Sequence, residues 1–450
     1  LSSPALPLRW NAHMTRPLPS SELIAALQDA RARTLSLVAD LDAEQLIGPK
    51  LEIVNPPLWE IGHIAWFYEY FVLRNLDGRP RSLPNADALY DSSKVAHERR
   101  WHLPLPSLDE TLAYLARVEQ RLIERLQGDV ASEAETELYL LGIYHEDMHG
   151  EALTYTRQTL GYPAPAFSPD KASSHPHDDE AGPLRGDVEI PGGRFWLGAF
   201  PEAPFVFDNE KWAHLVAVQP FRIARAPVSN AEFQAFIEDG GYRQRRFWDE
   251  AGWQWRTEAA AEHPIYWVPQ GNGRFALRRF TALEPVAPDQ PVMHVNWYEA
   301  MAWCRWAGRR LPSEAEWEIA AAAEPDALGR IGPNKRRYPW GEALPSPIHA
   351  NLDGYGLGPR DVGAYPTGDS AWGCRQMLGN VWEWTASRFE PYPGFSPDAY
   401  QDYSAPWFGS RMVLRGGSWA TRARLITTTY RNFFTPERRD IFASFRTVAL

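Results

Sequence analysis

Apolar positions along the chain follow two regimes. From residue 21 to about 160 they recur at steps of three and four, beginning with Leu23, Ala26, Leu27 and Ala30 and continuing through Leu35, Leu37 and Leu41. That spacing lines one face of a helix, so this part predicts a helical bundle. Residues 59–70, directly after Pro56 and Pro57, read as one of its helices. Leu138, Leu141, Tyr144, Met148, Ala152 and Tyr155 predict another, with its apolar face buried.

Between Pro163 and Asp187 the period lapses into Pro, Ser, Asp and His, which reads as a linker at 167–187. Beyond residue 188 short strand-like runs appear at 195–197, 214–218 and 221–224. Helices there are few, at 230–237, 297–307 and 313–323, the last with Ser313 and Glu316 as a capping box. The expected fold class is α+β, with a tail over 1–20, a helical bundle over 21–166 and an irregular α+β module over 188–450. Most of the 20 tryptophans are expected to pack loops that regular sheet cannot organise.

Composition narrows the functional classes. A chain of 450 residues is too long for one core, which fits two domains. A net charge of -11 argues against a nucleic-acid partner. No run of about eighteen apolar residues offers a membrane span. The first twenty residues, with Pro4, Pro7, Arg9 and Pro17, lack a secretory apolar core. Two cysteines, Cys304 and Cys374, make no disulfide framework and suit a reducing cytoplasm as buried thiols.

Candidate chemistry centres on His145 and His149. Four residues apart on a helix, they share a face and can grip one metal ion, and His63 on the earlier helix would complete the site. Read alone, the pair fits a metal site and a pair of hydrogen-bonded histidines equally well. Glu146 and Asp147 are expected to point elsewhere on the helix, as surface acids or acids orienting an imidazole. His175 and His177 lie in the linker and read as polar filler.

The second half carries ordered motifs: Val295-Asn-Trp297, Arg310-Leu-Pro-Ser-Glu-Ala-Glu-Trp-Glu318, Pro339-Trp-Gly341, Gly379-Asn-Val-Trp-Glu-Trp384, Arg415-Gly-Gly-Ser-Trp419 and Phe445-Arg446. In this order they resemble the formylglycine-generating-enzyme (sulfatase-modifying factor) superfamily, which implies a C-type-lectin-like fold. The first half resembles DinB-like four-helix bundles, whose three-histidine metal site would map onto His63, His145 and His149. Together the modules resemble the ergothioneine-pathway sulfoxide synthases and their relatives. That resemblance implies Fe(II), dioxygen, and attachment of a sulfur or selenium donor to C2 of the imidazole of hercynine, N-trimethylated histidine. Three neutral imidazoles leave a cationic iron with open positions, although imidazole suits zinc as well. A formylglycine-generating activity is disfavoured, because its cysteine pair is missing from Ser418 to Tyr430.

Departures from the family pattern bear on the donor. Sulfoxide synthases that use γ-glutamylcysteine carry Asn-Trp-Asp and then an arginine near the C-terminus. This chain has Asn432-Phe433-Phe434 and then Arg438, so the acid has become Phe434. An ammonium-bearing donor needs a paired carboxylate when it leaves water. Asp91, Ser92, Ser93 and Arg99 also fall in an altered segment, and Met148 stands where glutamine is common. A selenosugar donor has no amino-acid termini to neutralise, which places the resemblance to selenoneine synthase ahead of that to cysteine or γ-glutamylcysteine sulfoxide synthases.

The expected substrate-binding residues are Asn432, Phe433, Phe434 and Arg438, with the phenylalanines as aromatic faces for the trimethylammonium group or as plain core. The resemblance also implies a catalytic tyrosine in the loop after the Gly379–Trp384 motif. Among Tyr392, Tyr400 and Tyr403 the choice falls on Tyr400. A reading of another class stays open, in which the lectin-like module only binds a ligand and the histidines hold a structural zinc.

Overall fold

The computed structural model describes residues 16–78, 80–167 and 181–450. Residues 1–15 of the tail and 168–180 of the linker, His175 and His177 included, lie outside the described residues. The end of the tail is already tied down, since the Ala131 N–H donates to the Leu18 carbonyl at 2.9 Å and the first helix begins at Ser20.

Four long helices make the bundle: Ser20–Ser36, Pro57–Phe67, Leu108–Arg125 and Glu133–Leu160. Capping boxes Ser107/Glu110 and Ser132/Glu135 start the last two, and Gly161 ends the fourth in the left-handed region at φ 67°. Every residue of Pro57–Phe67 is buried, which is why this helix is apolar all round apart from Glu60 and His63. It runs on into a π-helical stretch, Tyr68–Arg74, a feature frequent near functional sites.

The second domain is irregular α+β. One four-stranded sheet is antiparallel, in the order Asp187–Ile190, Phe221–Ala224, Val448–Ala449 and Arg309–Arg310. Another has the order Asn432–Phe434, Met412–Arg415, Trp382–Arg388 and Ala443–Ser444, with the last pair parallel. Helices Asn230–Glu238, Trp297–Trp306 and Glu314–Ala322 stand where the pattern predicts them, the last capped by Ser313 and Glu316.

The recurring motifs of this half bind one another. Arg415 donates to Glu314 at 2.8 Å and to Glu318 at 2.5 Å, while Arg446 grips Glu383 at 2.6 and 2.7 Å. Glu383 also accepts from the Trp317 indole at 2.7 Å. Buried charges this well paired fix how the loops cross, and removing one partner would strand the other.

Both domains close on one helix, Glu133–Leu160. Asp147 makes a two-pronged ion pair with Arg424 at 2.7 and 2.8 Å. Further along, the Gln158 side chain donates to the Arg278 carbonyl at 2.9 Å and accepts from the Phe280 N–H at 2.6 Å. Among the described residues no helix is long and apolar enough to cross a membrane.

Candidate metal centre and substrate cavity

His63, His145 and His149 come together where the second and fourth helices cross, each offering a ligand atom within 4.8 Å of the others. Helical spacing stacks His145 over His149, and the crossing brings His63 to ring-centroid distances of 5.1 and 5.0 Å from them. Gly62 makes room: a Cβ there would collide with the Tyr90 ring, whose backbone carbonyl accepts from His63 Nδ1 at 2.8 Å. A carbonyl only accepts, so this proton sits on Nδ1 and Nε2 keeps its lone pair.

Glu60 does the same for His149, accepting at Oε1 from Nδ1 at 2.9 Å. His145 is held by a ring stack on Phe67, with centroids 3.5 Å apart and planes 9° from parallel, and its Nδ1 has no polar partner. Burial holds the pKa of His63 and His145 well below the usual imidazole range, and the neighbouring His149 adds to the effect. Two of the three imidazoles are thus kept neutral, the form a metal requires. The donor set fits a divalent metal bound by three imidazoles, with Glu60 and the Tyr90 carbonyl orienting two of them.

Glu146 and Asp147 are neither surface residues nor partners of the imidazoles. Glu146 is buried against Arg31 at 2.9 Å and the Thr34 hydroxyl at 2.8 Å, which locks the fourth helix to the first. Asp147 faces the second domain. Glu60 takes the orienting role, and its signal in the sequence is a lone acid three residues before His63 in an otherwise apolar helix.

A cavity of about 290 Å³ opens beside His145 and His149, walled by Met148 and Glu151 of the same helix and by Asn432, Phe433, Phe434 and Tyr400 of the second domain. The edge strand Asn432–Phe434 delivers three of these residues. Asn432 Oδ1 accepts from the Phe433 N–H at 2.8 Å, which leaves its amide NH₂ as the donating group. Phe433 stacks on Phe389 at 3.9 Å. Arg438 is not on the cavity wall: it lies over the Phe434 ring at 5.0 Å with its guanidinium engaged by Asp440 at 2.6 and 2.7 Å.

Tyr400 meets Phe67 edge-on at 5.1 Å and lies 6.0 Å from the His145 ring. Burial pushes its hydroxyl up to about 12, against a hydrogen bond with Ser92. Tyr403 also lines the cavity, its hydroxyl 3.6 Å from Met148 Sδ. Tyr392 is elsewhere, under the Arg431 guanidinium at 4.1 Å.

The segment after Leu89 is not on this cavity. Asp91, Ser92 and Ser93 line a separate chamber of about 310 Å³ on the far side of Tyr400, and Arg99 is exposed. Asp91 is occupied by its own turn, accepting from the Ser93 hydroxyl at 2.6 Å and from Lys94 at 2.5 Å. Both cysteines are buried, and burial pushes the Cys374 thiol up to about 11.

Comparison with known proteins agrees with this architecture. Residues 26–153 match the DinB superfamily and residues 172–449 the sulfatase-modifying factor enzyme 1-like domain. The chain is 43% identical over 434 residues to a hercynine oxygenase of Mycolicibacterium thermoresistibile, covering 95% of this chain and 94% of that protein. It is 41% identical over 437 residues to the hercynine oxygenase of Mycobacterium tuberculosis, covering 96% and 99%. A formylglycine-generating enzyme of Streptomyces coelicolor is 36% identical over 263 residues, but covers only 52% of this chain. A bundle of one superfamily, a second domain of the other, and likeness to hercynine oxygenases over nearly the full length place this chain in the hercynine oxygenase family.

Proposed function

We propose that this chain is an oxygen-dependent nonheme Fe(II) enzyme that joins C2 of the hercynine imidazole to a selenium donor, a selenosugar. Three clustered imidazoles, two of them bordering the cavity, in a chain this similar to hercynine oxygenases, carry the iron and hercynine parts of the reading. Bound Fe(II) would supply the activation of dioxygen. His63, His145 and His149 would hold it, and Tyr400, which lines the same cavity, would deliver a proton from its hydroxyl. Asn432 would donate to the substrate through its amide. In the balance, the C2–H bond and the Se–H bond break and C–Se forms. One oxygen atom ends on selenium and the other leaves as water with the two hydrogens.

Phe434 and Arg438 support the choice of donor. The position that would carry an acid is a phenyl ring, and the nearby arginine is spent on Asp440. The stretch from Asn432 to Arg438 therefore offers an amino-acid donor neither charge it needs. A second reading, a sulfoxide synthase using cysteine or γ-glutamylcysteine, is favoured by the likeness to hercynine oxygenases over nearly the whole chain. Incubating Fe(II)-loaded protein with hercynine and an equimolar mixture of selenosugar, thiosugar, cysteine and γ-glutamylcysteine, and reading product masses, separates them. The proposal expects the selenosugar adduct to dominate. A γ-glutamylcysteine sulfoxide as sole product would overturn the donor assignment.

A further inference from the structure

One sulfur side chain borders the cavity beside His145 and His149. Met148 is only partly buried, lines that cavity, and has its Sδ 3.6 Å from the Tyr403 hydroxyl. The remaining sulfur side chains among the described residues are placed differently. Met293, Met377 and Met412 are buried in the second domain, as are Cys304 and Cys374, and Met301 packs against its core. Burial also pushes the Cys374 thiol up to about 11, which keeps it out of the reactive thiolate form. Met14 lies outside the described residues.

A thioether loses no proton before it reacts, so access decides which methionine is oxidised. Hydrogen peroxide is little larger than water, and a cavity of about 290 Å³ has room for it beside Met148. Tyr403 adds a second selection. Thioether sulfur is a weak acceptor and a sulfoxide oxygen a strong one, so an O–H aimed at this sulfur binds more tightly as oxygen is transferred than it did before. Tyr430 shares a hydrogen bond with the same hydroxyl, and with Tyr430 as its donor the Tyr403 proton points at the sulfur.

We propose that Met148 is a site of oxidation by hydrogen peroxide, converted to the sulfoxide with the Tyr403 hydroxyl donating to the incoming oxygen. The sulfur lone pair attacks one peroxide oxygen, the O–O bond breaks and S–O forms. The proton on the transferred oxygen passes to the departing hydroxide, which leaves as water. Sulfur is oxidised by two electrons and the peroxide is reduced by two. The product puts a polar S=O group next to His149 where a thioether stood, a change that methionine sulfoxide reductases reverse. It concerns the cavity wall alone and stands whichever chalcogen donor the enzyme uses.

Dilute hydrogen peroxide added to the full chain loaded with Zn(II), which occupies the histidines and has no redox chemistry of its own, tests this by peptide mass. Addition of one oxygen is expected at Met148 about tenfold or more faster than at Met293, Met301, Met377 and Met412. Met148→Leu should remove the fast site. Tyr403→Phe is expected to slow oxidation of Met148 about three- to tenfold, the worth of one hydrogen bond, while Met377 and Met412, whose rates report opening of the fold, stay protected. The wild-type comparison alone decides the site: Met148 oxidising no faster than the buried methionines overturns it. Fast oxidation of Met148 that Tyr403→Phe does not slow overturns the part given to Tyr403.

Discussion

His149 Nδ1 and Glu60 Oε1 stand 2.9 Å apart, tying an imidazole of the three-histidine cluster on the fourth helix to the helix that carries His63. This bond fixes the ring's tautomer and orientation, and losing such a partner costs about 10–100-fold in metal affinity. Glu60→Ala is expected to lose that much in a competitive chelator titration. Glu60→Gln, which still accepts a hydrogen bond, should fall between. An alanine variant that binds metal as tightly as wild type would remove Glu60 from the site.

The Asp147–Arg424 pair carries a stability prediction. Asp147 is buried, and Arg424→Ala leaves its charge without the two-pronged partner. Breaking a buried pair in this way costs about 3–5 kcal/mol. Arg422, 3.7 Å from the same carboxylate, puts the expectation near the lower end. Chemical unfolding should show Arg424→Ala clearly destabilised, and Asp147→Asn combined with Arg424→Ala less so, because no charge is then stranded.

Acid sensitivity has an identifiable contributor outside the metal centre. His294 is packed against Tyr266 at 4.6 Å and Phe442 at 5.5 Å. Burial holds its pKa at about 3. The unfolded chain takes up this proton near pH 6.5 and the folded chain does not, so stability is full above pH 6.5 and is lost as pH falls. The backbone there is left-handed, φ 65°, which asparagine tolerates. Between pH 6.5 and 5, wild type should lose about 2 kcal/mol more than His294→Asn in urea unfolding. Parallel pH profiles would contradict the assignment.

Phe434 sets a donor prediction. Phe434→Asp restores a carboxylate next to Asn432 and Phe433 and should raise turnover with γ-glutamylcysteine relative to the selenosugar. The readout is the ratio of the two products by mass. An unchanged ratio would show that donor choice lies elsewhere in the cavity.

Much of this site was legible because its logic is local. His145 and His149 announce themselves by helical spacing, and the edge strand bearing Asn432, Phe433 and Phe434 is marked by its family motif. What was not legible depends on a second element. Glu146 and Asp147 sit about 100° and 200° around the helix from His145, and an isolated helix would expose them. This helix is packed on several sides, so they face Arg31 and Arg424 instead. Glu60 could be noticed as a lone acid, but its pairing with His149 follows from how two helices cross. Asp91, Ser92 and Ser93 border a different chamber because Tyr400 stands between them and the cavity beside His145 and His149, a partition no spacing rule encodes.

Oxygen uptake by Fe(II)-loaded protein, followed with product masses, tests the central claim most directly. Uptake is predicted to require hercynine and a chalcogen donor together, to yield a C2-selenium adduct with the selenosugar, and to vanish in His63→Ala, His145→Ala and His149→Ala. Absence of hercynine-dependent uptake with every donor, or uptake that survives loss of these histidines, would contradict the account.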